Sequence, residues 1–138
     1  MTDQAARISQ SPWPVGLLTG QGLYYMLTGL WPIISIRSFE AVTGPKTDHL
    51  PTGRDSDHWL IMTVSVLVLA IAFALLIGAW KRRATAELKV LAIAAALGLA
   101  AIDVIYVVRQ VIAPVYLIDA VIEAVLLLSW LTIVARRV

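Results

Sequence analysis

Four apolar runs, at 15–36, 60–80, 88–108 and 115–134, follow one another in a chain of 138 residues. About 20 apolar residues in an α-helix cover the roughly 30 Å of hydrocarbon in a bilayer. Four such crossings and their connections use nearly the whole chain. The sequence therefore predicts one integral domain over residues 1–138, an all-α four-helix transmembrane bundle. With 14% charged residues and 59% hydrophobic ones, the chain is far from a soluble domain, in which about 25% of residues are charged.

Charges at membrane depth are expensive and face the bundle interior. Three carboxylates stand in the last two runs. Asp103 shares a helical spacing with Ala92, Ala96 and Ala100, so it belongs to a small-residue face that packs inward, with Tyr106 and Gln110 on the same side. Tyr116, Asp119 and Glu123 fall on one face of the following helix. The first run carries a polar stripe of Gln21, Tyr24, Tyr25, Thr28 and Ser35, and a GxxxG pair, Gly16 and Gly20. Small residues at this spacing let helix backbones approach, as do Ala70, Ala74 and Gly78 in the second run. Both edges make a homo-oligomer an expected partner state. Pro12 and Pro14 are expected to hold back the first helix, and Pro32 to kink its end.

Basic residues give an orientation. Arg7, Lys81, Arg82, Arg83, Lys89, Arg136 and Arg137 lie on the side of the termini, against Arg37, Lys46, Arg54 and Arg109 on the other. Both termini are thus expected in the cytoplasm, with 38–58 a long non-cytoplasmic loop. The carboxylates then occupy the non-cytoplasmic half, and the five tryptophans lie near the interfaces. The net charge of +2 meets lipid phosphates rather than nucleic acid.

The long loop repeats an acid–histidine pair, Asp48-His49 and Asp57-His58. Ser56 or Asp57 is expected to cap the second span, while Asp57, His49 and His58 are weak candidates for a metal site. No cofactor is expected. Neither a lysine nor a histidine sits in mid-span to hold retinal or haem, phosphate-binding and metalloprotease motifs are absent, and without cysteine there is no thiolate chemistry.

Three function classes fit these residues. One is binding or transport of protons or a small cationic or amphiphilic ligand in an outward-facing acidic cavity, with Asp103, Asp119, Glu123, Tyr106, Tyr116, Gln21, Tyr25 and Thr28 as its lining. A second is an intramembrane enzyme that modifies a lipid or sterol with a carboxylate pair as acid and base. The third is an accessory subunit of a larger membrane complex. The segments LTGLWPIISIRSFEAVTGPKTDH and AIDVIYVVRQVIAPVYLIDAVIE resemble small four-span bacterial inner-membrane proteins of unassigned function. That resemblance implies a multi-pass place in the inner membrane and no mechanism. At the level of fold alone, the plan is also similar to the sterol-isomerase and sigma-2-receptor group, in which buried acids face a lipid-like ligand.

Overall fold

The structure, a computed structural model of the chain, describes residues 12–44 and 58–136. Among these residues it is all-α, with five helices: α1 (Pro12–Ile34), α2 (Ile36–Thr43), α3 (His58–Trp80), α4 (Ala86–Val108) and α5 (Tyr116–Ala135). Three of them, α3, α4 and α5, are long and apolar enough to cross a membrane, which marks the chain as a membrane protein. Four such spans were expected. The first run also forms a helix of 23 residues, but its glycines, prolines and polar stripe dilute its hydropathy.

α1 starts at Pro12, earlier than the two prolines suggested. Both stand in the first turn, where a backbone N–H has no acceptor to lose. At the far end, Pro32 is buried and the helix runs only two residues further. Ser35 breaks it with φ −151° and accepts from Ser38 N to start α2. This short helix lies in what the sequence suggested was loop. Trp31 stacks edge-on against Phe39 at 5.6 Å and donates from Nε1 to Ser38 Oγ at 2.9 Å. His58 of α3 pairs with Glu40 of α2 at 3.1 Å, drawing the start of α3 to α2.

α3 and α4 end in the same way. Arg82 N bonds to Ala79 O and Arg83 N to Gly78 O after α3; Gln110 N bonds to Val107 O and Val111 N to Tyr106 O after α4. This nested pair closes the open carbonyls of a helix end, and it needs a left-handed residue that is usually glycine. Here Arg82 and Gln110 take that conformation, at φ 51° and 59°. Thr85 then caps α4 by accepting from Leu88 N, with Glu87 in the first turn, where an acid complements the helix dipole.

α1 packs along α3, and α4 along α5; the α1–α5 and α3–α4 contacts are narrower. The glycines that allow α1 to approach α3 are Gly22 and Gly29, not Gly16 and Gly20. A Cβ on Gly29 would meet Leu69 Cγ at 2.9 Å and the Ser65 carbonyl oxygen at 3.1 Å, whereas Gly16 and Gly20 have nothing within 4 Å. On α3 the buried face is Ser65, Ala72, Leu75, Gly78 and Ala79; Ala70, from the expected small-residue edge, is exposed. The outer surface is apolar, with Leu67, Phe73, Leu97, Ile102, Val121 and Val125 all exposed. Gln21, Ser65, Asp103 and Glu123 are turned inward and hydrocarbon outward, as lipid requires.

Candidate functional site

The polar interior is built from one face of each of α1, α4 and α5. α4 buries only Ala92, Ala96 and Asp103, the inward face that the alanine spacing predicted. α5 buries Ala120, Glu123 and Trp130. From α1 come Gln21 and Tyr25, both buried, with Tyr24 half-buried beside them. Side-chain exposure falls to 0% at Gln21 and Trp130, 1% at Tyr25 and Glu123, and 7% at Asp103. Asp119, at intermediate burial, is the carboxylate nearest to the outside.

These groups form layers along the bundle axis. Nearest the α4–α5 turn lie buried Asp103 on α4 and half-buried Asp119 on α5, and Tyr24 Oη donates to Asp119 Oδ1. One helical turn deeper, about 6 Å, Tyr25 Oη donates to Glu123 Oε2 at 2.9 Å. Below that, Gln21 Nε2 donates to Tyr25 Oη at 3.0 Å and to the Ala92 carbonyl at 2.9 Å. Trp130 Nε1 donates to Gln21 Oε1 at 2.8 Å. Then the polar column stops. Leu18, Ala72, Leu75, Ala79, Ala92 and Trp130 belong to the apolar core cluster.

Two carboxylate oxygens in this network, Asp103 Oδ2 and Glu123 Oε1, are buried without a hydrogen-bond partner. Among the described residues, no lysine, arginine or histidine pairs with any of the three acids. A buried polar atom is ordinarily satisfied, and leaving one bare costs about 1–3 kcal/mol, more for a charged group. An uncompensated carboxylate at membrane depth is costlier still.

Of the other expected site residues, Tyr106 and Thr28 turn away from this cluster. Tyr106 is 41% exposed and does not share the inward face of Asp103, and Gln110 is exposed in the turn. Thr28 turns its hydroxyl back onto its own helix, donating to Tyr24 O and Tyr25 O. Tyr116 is half-buried at the start of α5, one turn before Asp119. His49 and Asp57, like the expected cap at Ser56 or Asp57, lie outside the described residues; His58 engages Glu40 instead. No group of three metal-ligating side chains occurs among the described residues. The open cavity expected down to Gln21 is closed in this conformation, since Gln21, Tyr25 and Glu123 are packed on all sides. An apolar pocket of about 450 Å³ does exist, at Pro12, Trp13, Gly16 and Leu17 near the start of α1.

Trp130 and Tyr24 were not among the site residues expected from sequence. A tryptophan near the end of a span reads as an interfacial anchor, yet Trp130 is the largest fully buried side chain. Its signal was Gln21, an amide in a span that needs a donor for its oxygen. Tyr24 was legible as a member of the polar stripe but not as the partner of Asp119. No protein-family model matches the chain, and neither a curated protein nor a solved structure does.

Proposed function

We propose that the chain is a four-span inner-membrane protein with both termini in the cytoplasm, which takes up protons or a small cation at Asp103, Asp119 and Glu123. The observation that carries this reading is the pair of partnerless buried oxygens, Asp103 Oδ2 and Glu123 Oε1, in a cluster with no basic partner among the described residues. Buried acids with no counter-ion among the described residues suit a positively charged occupant, a proton first of all. The close packing around Glu123 favours a proton or a compact cation over a bulky amphiphile, and half-buried Asp119 is the natural point of admission. α1 as the fourth span is supported by its length, equal to that of α3. Its amide and phenols are turned inward and hydrogen-bonded, the condition for polar groups at membrane depth. The excess of arginine and lysine beside the termini supports the orientation.

The test is an infrared pH titration of the full chain in nanodiscs, following the carbonyl stretch of protonated carboxyl groups. A band from protonated carboxyls is expected that shrinks when sodium ions are added but not with bulky tetramethylammonium, and that weakens in Glu123→Gln and in Asp103→Asn. If the triple variant with Asp119→Asn also substituted shows the same band and the same cation response as the parent, the reading is wrong.

A further inference from the structure

Resting on that reading, we infer that protons reach the acids from one end of the bundle only, and that Gln21, held by Trp130 and Ala92, is the group that stops them from going further. The orientation of the Gln21 amide is fixed by its partners. The Ala92 carbonyl can only accept, so it faces the NH₂ group; the Trp130 indole can only donate, so it faces the oxygen. The network therefore runs in one direction, from Trp130 N–H to Gln21 O, from Gln21 N–H to Tyr25 O, and from Tyr25 O–H to Glu123.

A carboxyl or phenol can pass a proton on, because it accepts at a lone pair and releases an O–H proton. A proton leaving Glu123 toward Gln21 binds Tyr25 Oη, whose own proton must then find an acceptor beyond it. What faces Tyr25 there is the Gln21 NH₂, which has no lone pair to offer. The step has no destination, and the proton returns to Glu123. Trp130, the next group along, is likewise a donor alone. Beneath the amide, Leu18 and Leu75 are fully buried and offer no polar atom. In the other direction, about one turn away, stand Tyr24 and Asp119, hydrogen-bonded to each other, and Asp103, all groups that can both accept and release. The titratable side chains facing Glu123 are thus Tyr24 and Tyr25 from α1, Asp103 from α4 and Asp119 from its own helix; the buried face of α3 has none.

The test uses the full chain in proteoliposomes containing pyranine, with a potassium diffusion potential set by valinomycin. The parent protein is expected to pass protons no faster than protein-free vesicles. Leu18→Ser opens the apolar layer beneath the amide and is expected to stay tight while Gln21 is in place; Gln21→Glu added to it puts an accepting and releasing group in place of the amide. It is expected to raise the flux by about tenfold or more, the scale of one hydrogen bond in a barrier. Adding Glu123→Gln to it should return the flux to the parent level. Trp130→Phe in the Leu18→Ser background, which frees the amide oxygen to rotate toward Tyr25, is expected to leak more weakly and carries the test if the Gln21→Glu variant fails to fold by size exclusion and circular dichroism. A parent protein or Leu18→Ser variant that already conducts, or folded Gln21→Glu and Trp130→Phe variants that conduct no more than Leu18→Ser does, overturns the inference. The titrating carboxyl band of Glu123 is measured separately; if it is present while the variants stay tight, the seal is refuted and the proton site stands.

Discussion

Tyr25 is the one side chain through which the amide layer and the acid layer communicate, accepting from Gln21 and donating to Glu123. Tyr25→Phe keeps the ring but leaves a buried N–H and a second Glu123 oxygen bare. A loss of about 1–3 kcal/mol is expected, measurable by denaturant unfolding in detergent, while Tyr24→Phe, nearer the outside, should lose less. At this scale the sequence was legible where helical spacing tied a polar residue to small neighbours. Asp103 could be placed inward because Ala92, Ala96 and Ala100 recur with it. Tyr106 could not, because three residues along a helix turn a side chain by about 60° from the starting face, enough to bring it to the surface. Trp130 was unreadable for another reason. Its ring is equally at home at an interface or in a core, and only the position of Gln21 in space decides between them.

Among the elements, α1 is set against α3 by glycines that the GxxxG pattern did not single out. Gly29→Leu is expected to force the Ser65 backbone away and to destabilise the bundle by about 1–3 kcal/mol, the usual penalty for overpacking. Gly16→Ala has open space and should be neutral or stabilising by up to about 1 kcal/mol through helix propensity. Parallel unfolding curves in detergent measure both, and size exclusion shows whether substituting the free Gly16 edge alters the oligomeric state. Helix existence was legible from the apolar runs, with ends correct to a few residues. The face that α3 buries was not, because a helix apolar all round carries no amphipathic signal. α2 was hidden as well: eight residues between glycine- and proline-rich stretches read as loop, and Trp31 and Ser35 hold it only once α1 is formed.

For the molecule as a whole, orientation is open to direct measurement because the chain contains no cysteine. Single cysteines placed in the α3–α4 turn are expected to be blocked from an impermeant maleimide outside the cell, and those in the α4–α5 turn to react with it; the opposite pattern inverts the assigned topology. The distribution of contacts carries a further mechanical consequence. α1 and α3 interlock through Gly22 and Gly29, and α4 and α5 form a second close pair, while the pairs meet over a narrower contact held by the hydrogen bonds of Tyr24, Tyr25 and Gln21. The molecule is thus two stiff plates lying against each other, and the acids, the phenols and Gln21 all sit on the plane where the plates meet. The easiest deformation is a parting of α1 and α3 from α4 and α5, with residues 81–85 as the hinge. That motion would draw Tyr24, Tyr25 and Gln21 away from Asp119, Glu123 and Trp130 in a single movement.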